Sequence, residues 1–254
     1  HEQPKAVADT LNSVIREGKL DLTEIGLDDE RIRSISQVYI VACGSAYHVG
    51  MAAQYVIEDL AGLPVRVELA SEFRYRKPLL DPDGLAVIIS QSGETADSLA
   101  ALRQIAAFYR EQMPIPIVGI TGSVGKTSTK EMISSVLEQK YSVHKTAGNF
   151  NNEIGLPLTI FGIRESHQVA VLEMGISDFG EMHRLSTMSC PDVMVITNIG
   201  YCHLEFLGDR DGVLKAKTEC FEHMMPDAVA VLNADDDKLA TVQTVNGKPA
   251  IYYG

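Results

Sequence analysis

The sequence predicts an α/β protein in which parallel, three-layer sheets carry helices on their faces. Short apolar segments with the length of buried strands alternate with helical patterns along almost the whole chain. Several of these segments end in small or hydroxyl-bearing residues, as strands do where they turn into a helix. No repeat, low-complexity tract or flexible linker interrupts the series. These observations favour βα units over an all-helical or all-β fold.

The first half of the chain contains three predicted strands and two long predicted helices. The strands are at 37–42, 65–69 and 85–89, and the helices at about 46–61 and 96–111. Residues 4–35 have the apolar spacing and the acidic and proline punctuation of helices.

The same pattern restarts in the second half. Strands are predicted at 115–120, 169–172, 193–197 and 229–232, with a helix at 126–139. A glycine-bearing loop joins the first of these strands to that helix.

Composition and charge exclude several classes of protein. The 254 residues suffice for one large or two ordinary domains, and the formal net charge of −12 argues against a nucleic-acid surface. The four cysteines have neither metal-ligand spacing nor disulfide density, so we interpret them as reduced thiols. No apolar run has membrane-spanning length, and no signal pattern opens the chain. We therefore expect a cytoplasmic protein without nucleic-acid or membrane partners.

The loop between the strand at 115–120 and the following helix has the features of a phosphate-binding loop. Its residues are Gly122, Ser123, Val124, Gly125, Lys126, Thr127 and Ser128, a G-x-x-G-K-T pattern with Ile120 at the earlier glycine position of the general motif. Glycines let backbone N–H groups wrap phosphate oxygens, and the helix N-terminus adds a positive dipole end. Lys126 can reach the β- and γ-phosphates and Thr127 can ligate Mg²⁺. The alternative is a plain glycine turn that starts a helix.

Two further side chains follow predicted strands. Glu173 ends the strand at 169–172, and His203 follows the strand at 193–197. In open α/β sheets, ligand groups gather at the carboxyl ends of strands, so both should face the phosphate-binding loop. A carboxylate and an imidazole beside a triphosphate form a credible divalent-cation site. Taken singly, each residue would more simply be a capping or core-satisfied group.

The second half resembles the central domain of the Mur ligases, in particular the UDP-N-acetylmuramoyl-tripeptide–D-alanyl-D-alanine ligases. The matching segments are GITGSVGKTSTKEM, KTAGNFNNEIGLPLT, VLEMGISDFGEM, TNIGYCHLEFLG, KAKTECF and VLNADDD. The resemblance implies ATP at the phosphate-binding loop and Mg²⁺ held by acid and histidine ligands. It also implies a carbamylated lysine, which by position is Lys217 rather than Lys215. It further implies that Asn233 contacts adenine and that Asn152 lies near the substrate acyl phosphate.

The first half resembles the isomerase region of the glutamine–fructose-6-phosphate aminotransferases, a sugar isomerase (SIS) fold. The matching segments are EQPKAVADTL, VYIVACGSAYHVGMAAQYVIEDLAG, VELASEFRYRKP and ISQSGETADSLAALR. The resemblance implies that a sugar phosphate is held by Ser45, Ser90, Gln91, Ser92 and Thr95. Ala46 replaces a serine of the family's usual loop, which removes one hydroxyl contact. The alternative for the turn at 90–95 is helix capping by Ser92, with Thr95 in the first turn.

The two resemblances meet inside the helix at about 96–111, which we call the junction helix. SLAALR continues the sugar-isomerase pattern, and ALRQIAAFYREQ matches the ligase helix before the phosphate-binding loop. The predicted domains are therefore 1–103, a truncated SIS unit, and 104–254, a Mur-ligase central domain. A join inside a helix of equivalent role favours a recombined or designed chimera over a natural gene.

Truncation of the SIS sheet leaves one edge of its third strand open. We expect either that the strand at 115–120 covers this edge after a right-handed crossover, or that two copies of the chain form a homodimer there.

Three hypotheses for function follow. The first is a chimeric protein that retains an ATP and Mg²⁺ site without full ligase or isomerase turnover, since the flanking domains of both families are missing from the sequence. The second is a working ATP-dependent amide ligase of peptidoglycan precursor synthesis, or a residual ATPase. The third is a scaffold of recombined fragments without a ligand requirement. Nucleotide titration with and without Mg²⁺ separates the third from the others.

Overall fold

The computed structural model describes residues 2–93 and 95–254, and they form two compact units. The first unit comprises the described residues up to Leu69 together with Pro78–Ile89. The second comprises Ala70–Lys77 together with the described residues from Ser90 to Gly254. No helix in these described parts of the chain combines the length and apolarity needed to cross a bilayer.

The first unit is built on a three-stranded parallel sheet. Its elements are α1 (Gln3–Ser13), β1 (Ile15–Arg16), β2 (Lys19–Leu20), α2 (Asp29–Ser34), β3 (Val38–Ala42), α3 (Ser45–Ala61), β4 (Val65–Leu69) and β5 (Leu85–Ile89). The strand order is β4-β3-β5, and all five residues of the central strand β3 are buried. Gly50 lets α3 pack closely on this sheet, because a Cβ there would lie 2.8 Å from Cγ2 of Ile40. β1 and β2 form a separate antiparallel hairpin.

The second unit holds a six-stranded parallel sheet and the larger core. Its helices are α4 (Ala70–Phe73), α5 (Ala96–Gln112), α6 (Lys126–Leu137), α7 (Gly155–Phe161), α8 (Glu181–Ser189), α9 (Leu204–Leu207) and α10 (Arg210–Thr218). Its strands are β6 (Ile117–Thr121), β7 (Val143–Lys145), β8 (Val169–Glu173), β9 (Val193–Ile196), β10 (Val229–Asn233), β11 (Thr244–Val245), β12 (Lys248–Pro249) and β13 (Ile251–Tyr253).

The order of this sheet is β13-β10-β9-β6-β8-β7, and every neighbouring pair is parallel. β6 is therefore central, and the loops that follow β6, β8 and β9 all leave the same edge of the sheet. β11 and β12 form a small antiparallel hairpin. This topology places the phosphate-binding loop beside the ends of the two strands that Glu173 and His203 follow.

The predicted α/β class and parallel sheets are confirmed. The strands at 65–69 and 85–89 and the helix start at Ala96 agree with the structure, and the other predicted strands agree to within two residues at each end.

One expectation about the sheet edge is wrong. The strand expected at 115–120 does not lie beside β5. It forms β6, which pairs with β8 and β9. The reason is packing: Ile120 of β6 forms a buried cluster with Val171 of β8 and Val195 of β9, which needs β6 in the middle of the larger sheet. The homodimer alternative stays a prediction.

Candidate functional site

The phosphate-binding loop leads directly from β6 into α6, and two glycines shape it. Gly122 has φ +148° and Gly125 has φ +79°, conformations that side chains rarely adopt. A Cβ on Gly122 would lie 1.9 Å from Oγ1 of Thr197, so only glycine fits there. The loop therefore packs its backbone against the end of β9. Ser128, also predicted to contact nucleotide, lies exposed in the first turn of α6.

Two residues at the end of β9 fix the loop in place. Oδ1 of Asn198 accepts hydrogen bonds from the backbone N–H groups of Ser123 (3.1 Å) and Val124 (3.0 Å). The hydroxyl of Thr197 donates to the carbonyl of Val124 at 2.7 Å. Thr197 and Asn198 were not among the predicted site residues. The signal was present, because both residues stand at the carboxyl end of a predicted strand, the criterion that selected Glu173.

The Ser123 side chain, predicted to contact nucleotide, joins the loop to the segment after β9. Its hydroxyl oxygen accepts from the backbone N–H of Gly200 at 2.8 Å and from the thiol of Cys202 at 3.1 Å. This leaves the Ser123 hydroxyl hydrogen as the group that can reach a ligand.

Lys126 lies at the start of α6 over the loop. Its ammonium donates to the carbonyl of Gly122 at 2.9 Å. Lys126 also lines a cavity of about 490 Å³, whose walls include Asn152 and His203. The structure thus brings together the predicted phosphate-binding lysine and two of the predicted site residues. Leu99, Asn151, Glu153, Ile154, Gly175, Ile176, Ser177 and Glu181 complete the lining.

Glu173 and Thr127 place two oxygen ligands next to each other. The Thr127 hydroxyl donates to Oε2 of Glu173 at 3.0 Å. Asn151 donates to the other carboxylate oxygen at 2.8 Å. The ammonium of Lys130, almost fully buried, lies 3.8 Å from Oε2 and donates to the Thr146 carbonyl at 2.8 Å. The Glu173 carboxylate, on a residue that is only 2% exposed, thus has hydrogen-bond partners on both oxygens and a lysine side chain nearby.

Lys217 lies on α10 and is also almost fully buried. Burial, and after it the charge of Lys126, lowers the pKa of Lys217 to about 8. Within residues 2–93 and 95–254, no carboxylate lies at salt-bridge distance from its ammonium. Lys215, the other candidate, is exposed and stacks over the ring of Phe179 at 5.7 Å. The environment therefore distinguishes Lys217 from Lys215.

Asn152 and His203 approach the cavity from two different loops. Oδ1 of Asn152 accepts from the backbone N–H groups of Ile154 (3.1 Å) and Gly155 (2.9 Å), which orients its amide at the start of α7. His203 is the residue before α9, is exposed, and has φ +52°. A positive φ is uncommon outside glycine and often marks a functional position.

Asn233, the predicted adenine contact, is the last residue of β10, and hydrogen bonds hold its side chain there. Its amide donates to the carbonyl of Thr197 at 3.0 Å, and its oxygen accepts from the backbone N–H of Asp235 at 3.0 Å. Since Thr197 also binds the phosphate-binding loop, Asn233 is linked to the loop through one residue. Its second amide hydrogen is the group that can reach a base.

The turn at 90–95 begins the second unit. The Ser90 hydroxyl oxygen accepts from the backbone N–H of Gly93 at 3.0 Å. Glu94 of this turn lies outside the described residues. The alternative of capping by Ser92, with Thr95 in the first turn, is wrong, because Thr95 occupies the N-cap position of α5 and its side chain makes no capping hydrogen bond. Gln91 and Ser92 belong to the same turn, whereas Ser45 is the first residue of α3 in the first unit.

Comparison with known families identifies both halves of the chain. Residues 120–254, slightly more than half of the chain, match the Mur ligase middle domain. Residues 31–141 match the SIS domain. The two matches overlap at 120–141, the segment that contains the phosphate-binding loop and α6. The overlap means that this strand–loop–helix unit fits both families.

Curated proteins of the same two families are similar to parts of this chain. The chain is 44% identical over 167 residues to a UDP-N-acetylmuramoyl-tripeptide–D-alanyl-D-alanine ligase of Bacillus subtilis, which covers 66% of this chain and 35% of that protein. It is 46% identical over 132 residues to a glutamine–fructose-6-phosphate aminotransferase of Clostridium tetani, covering 52% of this chain and 21% of that protein. The chain thus spans about a third of the first relative and a fifth of the second.

Two solved structures are similar across most of the chain. A MurF crystal structure from Acinetobacter baumannii superposes with a TM-score of 0.63 and 30% identity, covering 94% of this chain and 50% of that one. A MurF ligase of Thermotoga maritima in complex with ADP gives a TM-score of 0.58 and 27% identity, covering 89% of this chain and 51% of that one.

Proposed function

The chain belongs to the Mur ligase family through its middle domain, and from this we propose that residues 120–254 bind ATP with Mg²⁺ and activate its γ-phosphoryl group. The same chain carries a SIS domain at residues 31–141, and we infer that it is a chimera of the two families. One observation carries the proposal: the Thr127 hydroxyl and the Glu173 carboxylate meet at 3.0 Å directly behind the phosphate-binding loop.

The residues around the phosphate-binding loop fit a nucleoside triphosphate. Gly122 lets the loop backbone pack against the end of β9, and the loop leads into α6, whose N-terminal dipole favours a bound phosphate. The Lys126 ammonium is mobile enough on its four-carbon stem to exchange the Gly122 carbonyl for phosphate oxygens. Asn233 offers an amide hydrogen to a base at the adjoining strand end.

The donor set also fits Mg²⁺. This ion prefers oxygen ligands and keeps several waters, and the Thr127 hydroxyl and Glu173 carboxylate supply two hard oxygen atoms. His203 lines the same cavity as Lys126 and is the third candidate ligand. Magnesium and ATP, when bound, supply a phosphoryl group for transfer to a substrate carboxylate. Lys126 balances the negative charge on the phosphate oxygens, and Asn152 presents its amide to the acceptor in the cavity.

Lys217 has the environment expected of a carbamylated lysine. With a pKa lowered to about 8, a substantial fraction of the amine is neutral at mildly alkaline pH. The neutral nitrogen can attack the carbon of CO₂ and release one proton to water, which forms a carbamate anion. This reaction exchanges a buried cation without a carboxylate partner for an oxygen ligand suited to Mg²⁺.

Nucleotide binding and phosphate release test the proposal. We expect ATP to bind with Mg²⁺ and to bind much more weakly in the presence of a chelator. Glu173→Gln should weaken the Mg²⁺ dependence, while the matched variant Glu165→Gln, at an exposed position, should behave like the parent. Phosphate release measured with and without UDP-muramoyl-tripeptide and D-alanyl-D-alanine separates a residual ATPase from a working amide ligase. ATP binding that is indifferent to Mg²⁺ and to Glu173→Gln would refute the site.

A second candidate function is weak binding of a sugar phosphate at the turn at 90–95. The observation in its favour is the ordered Ser90–Gly93 hydrogen bond at the start of the 17-residue helix α5, where the helix dipole favours an anion. Titration with fructose-6-phosphate against Ser90→Ala tests it. Equal binding by both proteins would exclude this turn.

A further inference from the structure

Three side chains outside the nucleotide site converge on the surface of the second unit. His183 belongs to α8, and Glu222 and His223 belong to the 3₁₀ turn at Glu219–His223. Each offers one ligand atom, and these three atoms lie within 4.8 Å of one another. We propose that His183, Glu222 and His223 form a binding site for a divalent transition-metal ion such as Zn²⁺.

The two imidazoles are already in contact. Nε2 of His223 lies 2.8 Å from Nδ1 of His183, and the ring planes are nearly perpendicular, at 86°. One nitrogen donates the shared proton and the other accepts it. Ligand atoms at zinc–nitrogen distances of about 2.0–2.1 Å in a tetrahedral site are separated by roughly 3.3 Å. A small opening of this pair lets a metal ion replace the shared proton.

The backbone that carries the pair is held by a separate contact. The Glu219 carboxylate accepts from the backbone N–H of Gly180 at 2.9 and 3.0 Å, and from the N–H of His183 at 3.2 Å. This contact joins the N-terminus of α8 to the start of the 3₁₀ turn. The site therefore needs only side-chain adjustments: the small opening of the imidazole pair, and a rotation of the exposed Glu222 carboxylate toward it.

The ligand chemistry selects the class of metal. Two imidazole nitrogens in one site favour Zn²⁺, Cu²⁺ and Ni²⁺, whereas Mg²⁺ and Ca²⁺ prefer sites in which most of the ligand atoms are oxygens. Three protein ligands leave one tetrahedral position for water, which is consistent with the exposure of His183 and Glu222.

A metal ion at this site would cross-link two elements. One is α8, and the other is the 3₁₀ turn that directly follows α10, the helix of Lys217. Because the ion binds the folded chain and not the separated side chains of the unfolded chain, it would stabilise this part of the second unit by mass action.

The test is a Zn²⁺ titration of the full chain by calorimetry, with Mg²⁺ in excess so that oxygen sites are occupied. We expect the parent protein to bind Zn²⁺ and to melt at a higher temperature with it. His183→Ala and His223→Ala should each weaken binding at least tenfold and abolish the thermal shift. His48→Ala, an exposed histidine on α3, is the matched control and should bind as the parent does.

Two readouts keep the test decisive. Melting curves without metal show whether each variant still folds. Co²⁺ substitution then reports the ligands, because thiolate ligation gives an intense near-ultraviolet charge-transfer band that imidazole and carboxylate ligands lack. Tight binding that survives the His183→Ala/His223→Ala double variant, or a thiolate band in the parent, would overturn the proposal.

Discussion

Lys217 is a charged side chain in an almost fully buried position. A buried ammonium without a carboxylate partner in the described chain destabilises the fold, because the charged form loses its hydration. In the nucleotide-binding proposal, Lys217 serves as the precursor of an anionic metal ligand.

The lowered pKa of Lys217 predicts a specific pH dependence of stability. Its pKa falls from 10.5 to about 8 on folding, so the unfolded chain holds one more proton between these values. The destabilisation is complete below pH 8 and disappears as the pH rises to about 10.5. Lys217→Met should therefore be more stable than the parent by about 3 kcal/mol at pH 7, with the difference vanishing near pH 10.5.

Denaturant unfolding in CO₂-free buffer measures this difference. Lys215→Met, at an exposed position on the same helix, is the control and should show no such trend. A difference between the parent and Lys217→Met that does not change with pH would contradict the burial of a charged Lys217.

Gly122 is the second residue with a sharp prediction. Gly122→Ala places a methyl group 1.9 Å from Oγ1 of Thr197 at φ +148°, a backbone region essentially restricted to glycine, whereas Gly148→Ala meets no atom within 4 Å at φ +52°, in the left-handed helical region. Gly148→Ala therefore carries only backbone strain of about 1–2 kcal/mol. Gly122→Ala should cost at least about 1 kcal/mol more and weaken nucleotide binding. Thermal unfolding of both variants measures this difference. Equal losses of stability in the two variants would mean that the loop does not pack on β9.

At the scale of elements, the C-terminal end of the junction helix α5 is anchored by a buried arginine. Arg110, 8% exposed, donates to the backbone carbonyls of Ser189 (3.2 Å), Met113 and Ile115 (3.0 Å). These bonds fasten the end of α5 to the end of α8 and to the segment that enters β6. The C-terminal half of the helix is thus an integral part of the second unit.

Arg110→Met should lower the free energy of unfolding by about 2–4 kcal/mol, because it leaves buried carbonyl groups without donors. Arg110→Lys should recover only part of the loss, since one ammonium cannot replace a forked guanidinium. Arg33→Met, at an exposed position, is the control and should change little. Chemical denaturation compares the three variants. Full recovery by lysine would show that charge, rather than the fork, matters.

The sequence predicted the central elements well because their signals are local. Apolar runs such as Val65–Leu69 and the glycine–lysine loop before α6 are readable without knowledge of the fold. The hairpin of β1 and β2 was missed within the helical prediction for 4–35, although its two-residue turn, Glu17 and Gly18, has positive φ at both positions.

The contacts of the supporting residues were not predictable in the same way, although the strand-end position of Asn198 was readable from the sequence. Asn198 and Lys130 act on the loop and on Glu173 only because β9 and β8 flank β6 in the sheet. That order depends on long-range packing, which a single sequence does not reveal. The same reason explains the wrong expectation for the strand at 115–120. Its neighbours in the sheet, β8 and β9, depend on apolar contacts between residues far apart in the sequence.

At the scale of the whole molecule, the smaller sheet makes a prediction about assembly. β5 pairs with β3 on one side, and within residues 2–93 and 95–254 no other strand pairs with it. An open strand edge is a template for pairing with a second chain. We expect a homodimer through Leu85–Ile89, visible as a concentration-dependent species in sedimentation, with slow amide exchange along β5. A monomer whose β5 amides exchange freely would contradict this.

Calorimetric titration of Mg²⁺ and ATP into the parent and Lys126→Ala shows whether the Mur-ligase middle domain of this chain binds ATP, as we propose. Lys126 contributes a charge-assisted contact of roughly 1.5–3 kcal/mol to the phosphates, so the variant should bind at least tenfold more weakly. Lys140→Ala, in the segment after α6, is the matched control and should bind as the parent does. Equal affinity of Lys126→Ala and the parent would contradict the account.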